Sequence, residues 1–354
     1  MHRPMKRPVF RTATFGYALC IMSMIVPQWS SAQGRNDWNN RITMSGMLEV
    51  EAFMGSSLEG GSAGDISLAN LDLEFNIQVT EAITAHVIAV HEDDFTEPWE
   101  VDEGFVEIDL EPVTLSAGRM YLPFGNYESF MISDPLTLEL GETQEAALLT
   151  EFEWEGFYGL FYIYNGEINT AESVAENDDT IDQMGFRVGF EGELMGLEID
   201  TGFDFIRNIA DSNHIQTFFT TAQVEDYVSG WAIHAKAVWD PFTVLFEYVA
   251  AGEFLPAEIP FVDGGAAPTA LHLEAAVSFI LFETDMTFAA AFQSTSEASA
   301  LELPESKLLM ALAVDIDENV IVTGEFAHIT DYAVDEGGLG EGASVITGQL
   351  AVGF

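Results

Sequence analysis

From about residue 42 to the end of the chain, apolar residues recur at every second position in stretches of eight to fourteen residues. A period of two is the repeat of a β-strand, whose side chains point alternately to opposite faces. Leu197, Ile199, Thr201, Phe203 and Phe205 interleave with Glu198, Asp200, Gly202 and Asp204, and Met286, Phe288, Ala290 and Phe292 interleave with Asp285, Thr287 and Gln293. Sixteen such stretches are predicted: 42–54, 66–79, 82–91, 103–110, 113–122, 144–154, 157–165, 182–190, 194–206, 227–239, 242–251, 270–281, 284–294, 305–315, 319–329 and 343–354. No run of eighteen apolar residues occurs beyond the first 32 positions, so membrane-spanning helices are excluded there.

The connections alternate as regularly as the strands. Short links (Thr80-Glu81, Glu111-Pro112, Glu155-Gly156, Asp240-Pro241, Phe282-Glu283) take turns with long ones (55–65, 92–102, 123–143, 207–226, 252–269). A soluble sandwich has no reason to collect its long loops at one edge. A barrel in the bacterial outer membrane does, with tight turns on the periplasmic side and long loops outside. The predicted fold is therefore all-β: a transmembrane antiparallel barrel of about sixteen strands over residues 42–354. The segment Trp231–Trp239 tests the idea by itself. Its set Trp231, Ile233, Ala235, Ala237 and Trp239 covers roughly 26 Å along a strand. At a tilt of about 40° this approaches the aromatic-bounded apolar band, about 25 Å tall, of such barrels. The alternative is a pair of Trp in a soluble β core.

The first 32 residues are of another kind. Arg3, Lys6, Arg7 and Arg11 precede an apolar stretch from Phe15 to Val26, and Ser30-Ser31-Ala32 supplies a small-residue exit. This is the pattern of a secretory signal peptide cut after Ala32, which would leave 33–41 as a short periplasmic segment. The single cysteine, Cys20, lies within the leader.

The chain has 59 Asp and Glu against 11 Lys and Arg, a formal charge of −48, yet 48% of it is hydrophobic. Residues 33–354 keep all 59 acids and only seven bases, a formal −52. Period-two alternation reconciles acidity with apolarity: apolar residues face lipid, and carboxylates line the interior, turns and loops. So few bases exclude a nucleic-acid partner. So large a charge fits a saline setting, where self-repulsion is screened.

The third long loop, 123–143, is more apolar than a solvated loop, with Leu136, Leu138 and Leu140 among its residues. In a barrel wide enough for an aqueous channel, a loop folded into the lumen narrows it; an extracellular flap is the alternative. Its acids are Glu128, Asp134, Glu139 and Glu142. Parity turns Arg187, Lys236 and Lys307 inward and leaves Arg119 ambiguous, so these four bases are the candidates to face the acidic loop across a constriction. Inward acids, including Asp72, Glu74, Glu198, Asp200, Asp204, Glu247, Glu274 and Asp285, favour cations.

Ala117-Gly118-Arg119-Met120-Tyr121-Leu122-Pro123-Phe124-Gly125, with Ile132-Ser133-Asp134-Pro135-Leu136-Thr137-Leu138-Glu139-Leu140-Gly141-Glu142-Thr143, resembles the signature of the LbtU siderophore-porin family. Gly156-Phe157-Tyr158 and Tyr164-Asn165-Gly166 extend the likeness. The resemblance implies an outer-membrane barrel implicated in TonB-independent siderophore uptake. The last stretch, Ile346 to Phe354, alternates to a terminal aromatic, which looks like the signal read by the barrel-assembly machinery.

No catalytic, metal or cofactor assignment is made. His91-Glu92-Asp93-Asp94 and Asp178-Asp179 could bind a divalent cation, but both lie in predicted loops where acids need no special reason. Expected partners are outer-membrane lipid, small solutes or a ferric siderophore, and two more copies of the chain in a homotrimer. Three functional classes stay open: a passive channel, a barrel-embedded enzyme such as a lipid hydrolase, and a plugged structural or adhesive barrel.

Overall fold

A computed structural model of the chain describes residues 40–354 apart from 59, 93–98, 171–180, 220–222, 255–258 and 260–263. The leader expected over 1–32, residues 33–39, Asp93-Asp94 and Asp178-Asp179 lie outside the described residues.

Among the described residues, sixteen antiparallel strands close into a barrel. They are β1 (Ile42–Ser56), β2 (Ser62–Gln78), β3 (Ile83–His91), β4 (Glu100–Asp109), β5 (Val113–Tyr121), β6 (Gln144–Trp154), β7 (Phe157–Tyr164), β9 (Gln183–Leu194), β10 (Leu197–Ile206), β12 (Gly230–Trp239), β13 (Phe242–Ala251), β14 (Thr269–Leu281), β15 (Thr284–Ser296), β16 (Ser306–Asp317), β17 (Val320–Thr330) and β18 (Gly342–Gly353). A separate parallel pair, β8 (Asn169–Thr170) and β11 (Gln223–Val224), joins two of the long loops. Each strand pairs with its predecessor, and β1 pairs with β18 from Met47↔Gly353 to Gly55↔Val345. Closure leaves no unpaired edge, the condition for crossing a membrane with strands.

The two faces of the wall differ as the alternation requires. Trp231, Ile233, Phe246, Leu273, Phe288, Leu308 and Phe326 are exposed, whereas Ala232, His234, Glu247, His272, Ala289, Leu309 and Glu325 between them are buried. The exposed apolar face is the outer surface, and the buried, partly polar one is the interior.

The tight turns follow from backbone geometry. Glu155 and Gly156 both have positive φ (50° and 84°), the type I′ arrangement that matches the twist of the strands it joins. A Cβ on Gly156 would stand 2.4 Å from the Glu191 carbonyl oxygen, so glycine is required there twice over. The sequence placed the next hairpin near residues 191–193, and the structure corrects this. β9 continues to Leu194, pairing Glu191 with Asp200 and Glu193 with Glu198, and the turn is Met195-Gly196. Glu191-Gly192-Glu193 reads like a turn, yet in a barrel acids are compatible with an interior face and one glycine does not end a ladder.

Candidate functional site

The loop between β5 and β6 is tied to the wall along most of its length. Its base is closed by the Leu122 amide donating to Thr143 O at 2.8 Å. The chain then reverses at Gly125 (φ 79°), where a Cβ would strike the Tyr127 ring at 2.2 Å. Residues 124–135 have no regular structure, and a six-residue helix, α1 (Leu136–Gly141), follows with Leu136, Leu138 and Leu140 buried. Those leucines alternate in sequence but bury as one helical turn against the neighbouring wall.

An irregular buried segment leaves its amides without partners unless something else accepts them. Here the wall accepts them, mostly through carboxylates. Asp204 of β10 takes the Gly125 amide at 2.8 Å. Glu247 of β13 takes the amides of Asn126 and Tyr127 (3.1 Å for Tyr127 to Oε2) and the Thr137 hydroxyl at 2.7 Å. Glu274 of β14 takes the Phe130 amide at 2.8 Å and the Ser129 hydroxyl at 2.7 Å. Glu325 of β17 takes the Ile132 amide at 2.6 Å, the Ser133 amide at 3.1 Å and the Ser133 hydroxyl. The Gln293 side-chain oxygen of β15 takes the Leu136 amide at 3.2 Å. All these acceptors stand on the interior face. The segment is hereafter called the strap.

The ring order fixes its path. The strap leaves from β5 and reaches β17, six neighbours away by the shorter way round a ring of sixteen. On the far side of the strap from β1, apolar side chains fill the space. Leu122, Phe124, Leu136 and Leu140 join Tyr162, Tyr164, Ile206, Ala232 and Val249 of the wall and Ile209, Ile215, Phe254 and Leu301 of other long loops in one buried cluster. Met131 packs with Ala276, Ala289, Ala291, Leu309, Ala311 and Ala327 in a second.

The predicted site residues divide among several places. Glu128 meets Lys236 of β12 in an ion pair. Arg187 of β9 binds Asp204 through Nε at 2.7 Å and Nη2 at 2.9 Å, and also donates to the Gly125 carbonyl. Both bases thus touch the strap or its anchor rather than standing across a gap from it. Asp134 is 4% exposed, and its Oδ2 has no hydrogen-bond partner. Burial pushes its carboxyl well above the usual range, Glu139 and Glu142 push the same way, and Lys307 opposes them. Lys307 shares the parity of buried Leu309 and Ala311, and among the described residues it forms no ion pair. Glu139 lies 3.7 Å from His214 Nδ1. Glu142 accepts from Asn213 Nδ2 at 3.1 Å, and burial raises its carboxyl to about 8.

Arg119 is a correction. It is exposed, on the side of β5 opposite buried Ser116 and Met120, and binds Gln144 Oε1 through Nε at 3.0 Å. It faces outward, away from the strap. Ser116, Ala117 and Gly118 carry too little apolar contrast for parity to be read in sequence.

A second correction concerns the inward acids. Asp204, Glu247 and Glu274 are 0 to 3% exposed and hold the strap, so they are not free charges lining water. Glu325 and Gln293 are not legible as sites in the sequence. Their periodicity places them inside the barrel, but nothing in the linear text tells an acceptor for a distant amide from any other interior polar residue.

No family model matches the chain. A UPF0422 protein of Legionella pneumophila (strain Philadelphia 1) is 24% identical over 360 residues, a match covering 88% of this chain and 66% of that protein. A UPF0422 protein of Coxiella burnetii is 27% identical over 342 residues, covering 89% of this chain and 72% of the relative. The chain thus spans about two thirds of the length of the Legionella relative. Among solved structures, an anion-selective porin from Comamonas acidovorans superposes with a TM-score of 0.63 at 12% identity, covering 88% of this chain and 99% of the porin. OprB of Pseudomonas putida gives 0.61 at 8% identity, covering 89% and 95%. At such identities the likeness shows a shared fold, the sixteen-strand porin barrel.

Proposed function

We propose that this chain is an outer-membrane channel for the passive passage of small solutes, with the strap over residues 122–143 narrowing its lumen and the pore preferring cations. The observation that carries the reading is the strap itself, anchored from β10 to β17 by interior side chains.

Cation preference rests on the charges left over once the strap is tied. Arg187 and Lys236 are paired with Asp204 and Glu128. Glu191, Glu193, Glu198 and Asp285 remain exposed on the interior parity near the short-turn end. Carboxylates along a pore favour cations. The Comamonas porin is described as anion-selective, so the likeness of fold carries no likeness of selectivity. Planar bilayers under a KCl gradient test the proposal: reconstituted protein gives step conductances with a reversal potential of cation-selective sign. No conductance refutes the channel, and an anion-selective sign refutes the preference.

The resemblance over residues 117–143 supports a narrower reading, uptake of ferric siderophores without TonB. Its test is growth of a deletion strain on siderophore-bound iron as sole iron source. The same proposal includes export by the leader at 1–32, assembly through Phe354 and a homotrimeric state.

A further inference from the structure

The two halves of the strap are held by different parts of the molecule. Residues 125–137 are tied to the wall: Asp204, Glu247, Glu274 and Glu325 accept from them, and Arg187 and Lys236 meet them. Beyond Thr137 this changes. Among the described residues, the hydrogen bonds and ion pairs that 138–143 make outside the strap all go to the loop between β10 and β12.

Asn213 makes most of these links. Its backbone amide donates to Glu142 O at 2.8 Å and its side-chain amide to Glu142 Oε2 at 3.1 Å, while its side-chain oxygen accepts the amide of Gln144, the first residue of β6, at 3.1 Å. Asparagine carries the donor and the acceptor that this double contact requires. Next to it, His214 Nδ1 lies 3.7 Å from Glu139 Oε2. Glu142 Oε1 and Ser212 Oγ are buried beside these contacts with no hydrogen-bond partner, and unpaired polar atoms of this kind cost stability. The clasp is therefore weaker than its bonds alone would make it.

The loop that carries the clasp is part of the long-loop face. Two short 3-10 helices, Ile209–Asp211 and Ile215–Phe218, flank Asn213. Buried Asp211 accepts the Ile168 amide at 2.8 Å and the Asn208 side chain at 2.9 Å, and His214 Nε2 lies 2.8 Å from Leu301 O. Two other long connections, β7 to β9 and β15 to β16, thus bear on the same loop.

We infer that Asn213 is the positioning residue of the constriction: it hangs the second half of the strap, residues 138–143, from the long-loop face, so that displacing the loop between β10 and β12 frees α1 and widens the lumen while the wall anchors stay made. The inference rests on the channel reading above and adds which contact sets the width. Polar contacts to the wall fix the first half, and apolar packing against β13, β14 and β15 is what remains to hold α1 once the clasp opens.

The test compares the parent with Asn213→Ala and Glu274→Ala, the full chain in detergent micelles being followed by amide hydrogen exchange and mass spectrometry. A heat-dependent shift in gel mobility checks that each barrel folds. Asn213→Ala removes two hydrogen bonds, worth about tenfold or more in a local opening equilibrium. It is expected to speed exchange over 138–143 by about that factor and to leave 125–133 within about threefold of the parent. Glu274→Ala is expected to show the reverse pattern. In planar bilayers N213A is expected to give larger steps than the parent. Exchange over 138–143 unchanged in N213A, or both halves loosened alike by either variant, overturns the two-sided anchoring. Faster exchange with the parent's conductance overturns the link to the width. Should the parent carry no current, the channel reading falls, while the exchange pattern still decides how the two halves are held.

Discussion

Glu142 shows what burial does to one carboxyl at the foot of the strap. It is 6% exposed, its Oε2 is held by Asn213, and its Oε1 has no hydrogen-bond partner. Desolvation favours the neutral form, and nearby Glu139, Asp102 and Glu103 reinforce it, raising the carboxyl from 4.5 to about 8. Between those values the folded chain holds a proton that the unfolded chain releases, so stability from this group falls as pH rises from about 4.5 to about 8 and is level above. Glu142→Gln, which mimics the neutral acid, is expected to flatten that fall. The difference in unfolding free energy between pH 5 and pH 8.5 should shrink by at least about 1 kcal/mol, one pKa unit being worth about 1.4 kcal/mol. Denaturant titration of wild type and variant at both pH values measures it, and parallel curves would remove Glu142 from the account. Asp134, raised by the same cause, contributes to the pH dependence with the same sign.

The strap is an element with little regular structure of its own, and its position depends on side chains of other strands. Glu247 accepts from two of its amides and one hydroxyl, as Glu325 does further along the strap. Glu247→Ala leaves those donors buried without an acceptor, at a cost of about 2 to 4 kcal/mol. Conductance should rise and fluctuate as the strap loosens. Glu247→Gln keeps one acceptor oxygen and should fall between wild type and alanine. Single-channel recording of the three proteins ranks them, and an unchanged conductance in the alanine variant would show that the strap does not depend on this anchor. Much of the strap was legible as an apolar loop with Leu136, Leu138 and Leu140 in it, because excess apolarity in a connection is a local property. Its anchors were not: Glu247 and Thr137 are 110 positions apart, and Ser133 and Glu325 are 192.

For the molecule as a whole, charge and closure act against each other. A formal −52 over residues 33–354 repels itself, and the closed ladder must contain it. The Debye length is about 30 Å at 0.01 M salt and about 3 Å at 1 M, so repulsion between exposed acids should fade over that range. Purified barrel is therefore expected to unfold at a higher temperature in 1 M than in 0.01 M NaCl. Equal midpoints would show that the acids are already compensated within the structure. The strap anchors give a reason to expect only part of the charge to respond: Asp204, Glu247, Glu274 and Glu325 are held by amides, hydroxyls or Arg187 away from solvent.

The sequence by itself determined the barrel, its sixteen strands and, β5 excepted, the outward face of the strands with clear alternation. Those follow from a period of two and from alternating connection lengths, both readable within a dozen residues at a time. The hairpin at Met195-Gly196 is not legible, because glycine and acid together resemble a turn wherever they occur. Only the tertiary structure decided what the interior acids do and that Arg119 faces outward. These are properties of closure and of a chain crossing the ring, where partners a hundred or more positions apart come within 3 Å.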